Sequence, residues 1–148
     1  MINHETLPKA SRSSKTLSGL PSLAKRESAG APLETALRFG LGLDIVEVSR
    51  VKAVARRSKR FLTRVFTPDE IAYCQAKKNP WPHFAVRFAA KEAVWKALGQ
   101  KKLSLKDISV ARDQEGRPSV LLRGKKTNNL ELSLTHSRDY ALAVAIKK

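Results

Sequence analysis

The sequence predicts an α+β fold in which a small antiparallel sheet packs on one central helix. Three features indicate this fold: a helix with apolar residues on both sides at Arg87–Gly99, a short apolar strand at Phe39–Val46, and strand-like segments after Gly99. A helix that is apolar all round is buried, so the remaining elements must surround it. With 148 residues, 42% of them hydrophobic, the chain is long enough for one domain of this kind.

The charge of the chain is strongly unbalanced. It has 29 Lys and Arg against 13 Asp and Glu, a net charge of +16, and residues 1–36 contribute only +2 of it. This balance predicts a polyanionic partner: nucleic acid, a membrane surface, a phosphate-rich cofactor or an acidic protein. No apolar run of about 18 residues is present, so the sequence predicts no membrane-spanning helix. The single cysteine, Cys74, excludes an internal disulfide and favours a reducing compartment, which we take to be the cytoplasm.

Residues 1–36 differ in composition from the rest. They are rich in Ser, Lys, Ala, Pro and Gly and show no sustained periodicity. We expect a disordered or loosely attached N-terminal extension there, and a single domain over residues 37–148. The extension lacks the apolar core of a secretory signal. A further hypothesis is a shorter product that starts at a non-AUG codon for Leu37, and it would be excluded by mass spectrometry that finds Met1 at the native N-terminus.

The predicted first strand, Phe39–Val46, has two unlike faces. One face carries Leu41, Leu43 and Ile45, and the other carries Gly40, Gly42 and Asp44. The apolar face predicts a buried strand. The two glycines clear space beside Asp44 for a ligand or another backbone. The alternative is that the glycines mark a bulge and Asp44 caps the next helix.

The segment Ser49–Phe66 is predicted to be a basic helix, with Ser58 as a possible break. Its apolar half carries Val51, Val54, Phe61, Leu62 and Val65, and its basic half carries Lys52, Arg56, Arg57, Lys59, Arg60 and Arg64. No acid occurs between Glu47 and Asp69. A basic helix face is often only solvated, but the missing acids favour a surface that recognises an anion.

The following segments complete the predicted fold. Thr67–Glu70 is a capping box with proline at the first helical position, and it opens a short helix to about Lys78. Asn79–Pro82 is expected to be a stiff connector to the central helix. Strands are predicted at Leu103–Arg112, Ser119–Arg123, Leu130–Thr135 and Tyr140–Ile146, with a turn at Asp113–Gly116, a loop at Gly124–Asn129 and His136–Asp139 between the last two strands.

The central helix carries unshielded charges. Glu92 and Lys96 are four residues apart, Lys91 is adjacent, and only the small Ala85 and Ala89 share their stripe. A Glu–Lys helix pair stabilises a helix by about 0.2–0.5 kcal/mol, whereas burying charges costs several kcal/mol per ion. A carboxylate buried among small neighbours therefore favours a metal or a proton-transfer role over a simple salt bridge.

Three parts of the sequence together suggest a chemistry. Asp44 and Glu92 are carboxylates on different elements, which suits Mg²⁺ that keeps several waters and takes further ligands from phosphates. Lys91 and Lys96 suit a pyrophosphate, and His136 lies between two late strands. This combination predicts cleavage of a phosphoanhydride, with metal and lysine neutralising the developing charge.

At these residues the sequence resembles the holo-acyl-carrier-protein synthases of the 4′-phosphopantetheinyl transferase superfamily. The matching segments are GLGLDIVEVSRV at 40–51, RFLTRVFTPDE at 60–70, RFAAKEAVWKALG at 87–99 and SLTHSRDYALAVAI at 133–146. The specific signal is the combination of a G-x-D strand with a K-E-x-x-x-K helix. The resemblance covers roughly residues 38–148.

The resemblance implies the 4′-phosphopantetheinyl transferase fold and transfer of the 4′-phosphopantetheine arm of coenzyme A to a serine of apo acyl carrier protein. It implies dependence on Mg²⁺ and release of adenosine 3′,5′-bisphosphate. Asp44 and Glu92 would be the metal ligands, and Glu92 would activate the serine hydroxyl, directly or through a water on the metal. Lys96 would neutralise or protonate the departing phosphate. Lys91 and His136 would contact the phosphates and nucleotide, although a histidine in an ordinary turn is the alternative for His136.

The resemblance also implies partners. The acidic acyl carrier protein would dock on the basic helix through Arg50, Arg57, Arg60 and Arg64, mainly by steering and orientation. The family is commonly a homotrimer with sites between subunits, so a neighbouring copy would complete the site. The chain departs from many members in the residues after Gly99 and in the short loop Gly124–Asn129, where an extra helix is common.

Two other functions remain open from the sequence. One is a nucleic-acid-binding domain built on the basic helix, with Trp81 and Trp95 stacking on bases. It leaves Asp44 and Glu92 without a role, and the two tryptophans are better explained as core residues. The other is a relative that docks a carrier protein but has lost transfer.

Overall fold

The computed structural model describes residues 39–99 and 102–148, and the predicted N-terminal extension lies outside them. The helices are α1 (Val48–Arg57), α2 (Lys59–Val65), α3 (Pro68–Gln75) and α4 (Pro80–Leu98), with a 3-10 turn at Leu105–Asp107. The strands are β1 (Gly40–Glu47), β2 (Ile108–Arg112), β3 (Pro118–Leu122), β4 (Lys125–Lys126), β5 (Leu130–His136) and β6 (Tyr140–Lys147). No helix in these two ranges is long and apolar enough to cross a bilayer.

Helix α4 is the centre of the fold, as predicted, but it is longer than the sequence suggested. The segment Asn79–Pro82 is not a connector, because the helix begins at Pro80. Both prolines lie in the first turn, where backbone N–H groups have no intrahelical acceptor. The side chain of Asn79 caps this end by accepting from the Trp81 N–H at 3.4 Å. At the other end Gly99 has φ 59°, a left-handed conformation that suits glycine.

The strands form two antiparallel sheets of three strands each. The order β1-β6-β5 builds the sheet that packs on α4, and β2-β3-β4 builds the second. The sequence predicted one sheet from β1 and the late strands. The hairpin predicted around Asp113–Gly116 is confirmed as the β2–β3 pair, but these strands belong to a separate sheet, which was not predicted. The predicted loop Gly124–Asn129 contains β4, and the strand predicted from Leu103 begins only at Ile108, after the 3-10 turn. The α+β class is confirmed.

Strand β1 lies against α4 through its glycines. A Cβ added to Gly42 would lie 1.8 Å from the carbonyl oxygen of Ala93, and one added to Gly40 would lie 2.0 Å from that of Ala97. The lack of side chains at these two glycines therefore lets the α4 backbone pack directly against β1. The bulge interpretation is wrong, because β1 pairs with β6 in unbroken register from Gly40 to Glu47.

The apolar face of β1 is not buried within the chain, contrary to the prediction. Leu41, Leu43 and Ile45 are 59%, 53% and 59% exposed. The reason is that α4 covers only one face of this sheet, and the glycine side of β1 faces the helix. Tyr140 and Ile146 of β6 are also exposed, at 52% and 41%.

The basic segment breaks at Ser58 into α1 and α2, as the sequence suggested. Phe61 anchors α2, with its ring centroid 6.1 Å from that of Phe88 on α4. The predicted capping box of α3 is present, with the Thr67 hydroxyl and the Glu70 carboxylate bonded reciprocally. Cys74 is a buried free thiol, and burial raises its pKa to about 11.

Candidate active site

Asp44 carries an oxygen with no partner among the described residues. Its side chain points from β1 toward α4, where Oδ1 accepts from Lys96 Nζ at 2.8 Å. The same ammonium donates to the carbonyl oxygen of Leu43 at 2.9 Å. The second oxygen, Oδ2, is buried and makes no hydrogen bond. A buried acceptor left unsatisfied is costly, so this atom is poised to bind a cation or a hydrogen-bond donor.

Glu92 is the second carboxylate of the site. Its pKa is raised by partial burial and by the neighbouring charge of Asp44, and Lys96 offsets part of this shift. Lys96 forms an ion pair with Asp44 on β1, so it is not simply the salt-bridge partner of Glu92 within the helix. Two carboxylates that repel each other, one with an unpartnered oxygen, are a donor set that fits Mg²⁺, a hard cation that prefers oxygen.

A cavity of about 280 Å³ opens beside the two carboxylates. Its remaining wall is mostly apolar and comes from β1, α1, α2 and α4, with Arg50 as the cation on its rim. Among the lining residues are Val51, Val54, Phe61 and Phe88. Apolar walls with a few convergent polar groups are typical of small-molecule sites. Because α1 and α2 form part of the wall, a partner bound to these helices would lie next to Asp44 and Glu92.

Lys91 does not reach this cavity, which corrects the prediction that it contacts phosphates. Its side chain is 0% exposed, and Nζ lies 2.7 Å from Glu70 Oε2. The ammonium also donates to the carbonyl oxygens of Leu105 and Ile108. On the helix, Lys91 is about 100° from Glu92, so it points into the interior when Glu92 points to the cavity.

His136 lies in a second group of polar side chains, away from the carboxylates. Its ring centroid is 5.2 Å from that of His83, and the His83 ring is 6.2 Å from Tyr73. The guanidinium of Arg87 lies 4.0 Å from the centroid of the Tyr73 ring, and Lys77 lies 4.4 Å from it. We call these five residues the histidine–arginine cluster.

The histidine–arginine cluster has an excess of positive charge. Arg87 is only 7% exposed, and its Nε has no partner among the described residues. The pKa of His83 is lowered by burial and by His136 and other nearby cations. Burial alone would raise the pKa of Tyr73, but Arg112, Arg87 and Lys77 together bring it below its ordinary value. The cluster is therefore suited to an anion.

The sequence analysis missed this cluster except for His136. One signal was available: Arg87 lies on a helix that is apolar on both sides and has no acid three or four residues away. A buried cation without a local partner points to an anion from outside the helix.

The two groups lie on different sides of α4. Arg87 and Glu92 are separated by about 140° of rotation around the helix axis. Asp44 is on β1 and His136 is on β5, with β6 between them, so their strands are about 10 Å apart.

The tryptophans do not support a nucleic-acid surface. Trp81 packs with its ring centroid 5.9 Å from that of Phe84, and Trp95 Nε1 donates to the Leu103 carbonyl at 3.0 Å. Trp95 is 37% exposed, so it is not the core residue that the sequence suggested. Each tryptophan is thus engaged in a contact within the fold.

The family model of the 4′-phosphopantetheinyl transferase superfamily matches residues 40–145. The chain belongs to this superfamily. The matched range contains β1, the central helix and both groups of polar side chains, so the transferase fold and the carboxylate pair fall inside it. The resemblance found in the sequence is confirmed.

Relatives within this transferase superfamily are similar over most of their length. The holo-[acyl-carrier-protein] synthase of Moorella thermoacetica is 44% identical over 115 residues, which cover 71% of this chain and 90% of that protein. The protein of the same name from Chlamydia trachomatis serovar D is 46% identical over 116 residues, 73% of this chain and 98% of that protein.

Solved transferase structures share the fold. The holo-(acyl-carrier-protein) synthase of Bacillus anthracis in complex with CoA (3′,5′-ADP) aligns with a TM-score of 0.63 and 31% identity, covering 73% of this chain and 94% of that one. The Helicobacter pylori synthase in complex with coenzyme A aligns with a TM-score of 0.62 and 31% identity, covering 73% and 99%.

Proposed function

We propose that this protein is a holo-[acyl-carrier-protein] synthase that transfers the 4′-phosphopantetheine group of coenzyme A to a serine of apo acyl carrier protein. The relatives of this name and the coenzyme A complexes of the neighbouring structures support this activity. The observation that carries the proposal is the Asp44–Glu92 pair beside Lys96, at the wall of a cavity that the basic helices share.

The chain's own residues account for the proton and charge movements of the transfer. The serine oxygen attacks the phosphorus that bears the pantetheine, the anhydride bond to the second phosphate breaks, and adenosine 3′,5′-bisphosphate leaves. Glu92, which lines the cavity beside Asp44, accepts the hydroxyl proton. Lys96, held at Asp44, provides positive charge for the departing phosphate.

Asp44 and Glu92 would hold the Mg²⁺ on which we propose the activity depends. Asp44 Oδ2 supports this assignment because it is buried and unpartnered. Bound Mg²⁺ supplies charge neutralisation for the pyrophosphate oxygens. Among the described residues, no third His, Cys, Asp or Glu side chain joins these two carboxylates. Such a pair suits Mg²⁺, which completes its coordination shell with water and phosphate oxygens.

We assign the nucleotide end of coenzyme A to the histidine–arginine cluster. The buried, unpartnered Nε of Arg87 and the surrounding cations support a phosphate there, and His136 keeps the binding role predicted for it. Because this cluster and the carboxylates face different sides of α4, we propose that one coenzyme A spans the carboxylates of one copy and the cluster of a neighbour. We further propose the cytoplasm as the site of action, in keeping with the free thiol of Cys74.

Intact-protein mass spectrometry tests the activity. An apo acyl carrier protein is incubated with the chain, coenzyme A and Mg²⁺, and parallel reactions omit coenzyme A or add a chelator. We expect a mass gain of one phosphopantetheine only in the complete reaction. Absence of the gain with folded protein and several carrier proteins would contradict the proposal and favour the relative that docks without transfer.

We propose that the acidic carrier protein docks on α1 and α2. Arg57, Arg60 and Arg64 are exposed on these helices, and Arg50 lines the cavity beside the carboxylates. No acid intervenes from Val48 to Pro68, so the face presents uniform positive charge to a negative partner.

Charge reversal on this face should weaken carrier-protein recognition. We expect Arg60→Glu to raise the KM for carrier protein about tenfold, through slower encounter, with little change in kcat. Steady-state kinetics at several NaCl concentrations measure this, and the salt dependence of kcat/KM should flatten. Lys125→Glu, an exposed charge reversal on β4, is the matched control. Equal effects of the two variants would place docking elsewhere.

We propose that the exposed apolar face of β1 and β6 is covered in a homotrimer. Contiguous exposed apolar surface of this kind marks interaction sites, and a neighbouring copy would also bring its histidine–arginine cluster. Leu41→Asp should therefore yield a monomer in sedimentation velocity and lose transfer, while Ala72→Asp on exposed α3 surface keeps the assembly. A monomeric, active wild-type protein would contradict this assignment.

A further inference from the structure

Small residues line the part of the α4–sheet interface that β1 and β6 form. The α4 carbonyls of Ala93 and Ala97 lie against Gly42 and Gly40. On β6, the buried residues facing the same interface are alanines, at positions 141, 143 and 145. Helix packing is normally fixed by side-chain ridges that enter grooves. Methyl groups and glycines form only shallow ridges, so along β1 and β6 the helix is placed by close backbone contact, with bulky side chains supplied by β5, where Leu132 and Leu134 pack on the same core.

Lys91 and Glu70 form a buried group of polar contacts, which we call the polar hub, and it connects α4 to three other elements. Lys91 Nζ bonds to Glu70 Oε2 at 2.7 Å and to two carbonyls around Leu105 and Ile108. These acceptors belong to α3, the 3-10 turn and β2, so the ammonium is fixed from three directions. Glu70 is fixed in turn, because Oε1 accepts from the Val110 N–H at 3.0 Å and Oε2 from the Thr67 N–H at 3.0 Å.

The polar hub lies one residue away from the Glu92 carboxylate. Lys91 immediately precedes Glu92, so fixing the Lys91 ammonium limits both rotation and sliding of α4 at the point where Glu92 must face Asp44. A buried pair of this kind contributes orientation more than stability, because well-packed apolar replacements of both partners are often tolerated.

We propose that Glu70 and Lys91 are positioning residues that set the rotation of α4 and hold Glu92 opposite Asp44. This inference rests on the proposed transferase function. It assigns a role to two buried charged residues that do not line the cavity beside Asp44 and Glu92.

The test is the double variant Glu70→Gln/Lys91→Met, which removes both charges and keeps similar volumes. Val120→Ala, a cavity-forming change in β3, is the control for lost stability alone. We expect the double variant to fold, with a kcat about 100-fold below wild type. The half-saturating Mg²⁺ concentration should rise about tenfold, and the KM for coenzyme A should change little.

The melting temperature with and without Mg²⁺ is a second measurement, and it does not depend on activity. Mg²⁺ should raise the melting temperature of wild type and of Val120→Ala, and raise it less in the double variant. Wild-type kcat and Mg²⁺ response in the double variant would overturn the positioning role, and so would losses no larger than those of Val120→Ala. If the double variant fails to fold, Glu70→Asp, which keeps the charge on a shorter side chain, must show the same loss of kcat and Mg²⁺ response. An inactive wild-type protein would instead contradict the proposed function, and the Mg²⁺-dependent melting shift then decides the positioning role alone.

Discussion

Replacing Glu92 by Gln should lower the transfer rate about 1000-fold or more while leaving the protein folded. The amide has the same size as the carboxylate, but it accepts no proton from the serine hydroxyl and is a poor ligand for Mg²⁺. General-base catalysis alone is worth about 100- to 10,000-fold. The measurement is kcat from the mass gain of the carrier protein under saturating coenzyme A, with Lys125→Glu as a control for handling and solubility.

Stability and pH distinguish this effect from damage to the fold. Because burial and Asp44 raise the pKa of Glu92 in the metal-free protein, the charged form is disfavoured in the fold, so without Mg²⁺ the Gln variant should melt at the same temperature as wild type or higher. The wild-type rate should fall on acidification, because protonation of Glu92 competes with Mg²⁺ binding, and a higher Mg²⁺ concentration should move this fall to lower pH. A Gln variant that keeps most of the wild-type rate would remove Glu92 from the chemistry and shift attention to Asp44.

The carboxylate pair could be predicted because residue type and local pattern determine it. Asp44 follows two glycines on one face of a strand, and Glu92 lies on an alanine stripe of a helix that is otherwise apolar. Both patterns are local, and the structure adds the unpartnered Asp44 Oδ2 and the raised Glu92 pKa. The break at Ser58 and the capping box of α3 are local features in the same sense, and both were predicted.

What could not be predicted depends on partners distant in sequence. Nothing near Lys91 indicates that Glu70, on another helix, and two carbonyls of a later turn and strand surround its ammonium. The exposure of Leu41 similarly depends on which face of β1 meets α4, and close packing on the glycines decided it. The prediction of a connector at Asn79–Pro82 was wrong for another reason. Proline breaks a helix in its interior but is compatible with its first turn.

Gly42→Ala should be the most damaging small substitution in the sheet. The added Cβ would stand 1.8 Å from the Ala93 carbonyl oxygen, whereas ordinary contact begins at 3.4 Å. The obstacle is helix backbone, so no side chain can rotate away and α4 must move off β1. Overpacking of this kind costs about 1–3 kcal/mol or more, and we expect about 3 kcal/mol in the free energy of unfolding, measured by urea denaturation followed through tryptophan fluorescence.

The same displacement should reduce activity beyond the loss of stability. Moving α4 away from β1 separates Glu92 from Asp44, and misplacement by about 1 Å can cost about 100-fold in rate. Gly116→Ala is the matched control: its φ of 81° makes alanine strained, but nothing lies within 4 Å of the added Cβ. We expect that control to lose about 1 kcal/mol and to keep its kcat. If Gly42→Ala lost stability but kept kcat, close contact between β1 and α4 would be required for folding and not for bringing the two carboxylates together.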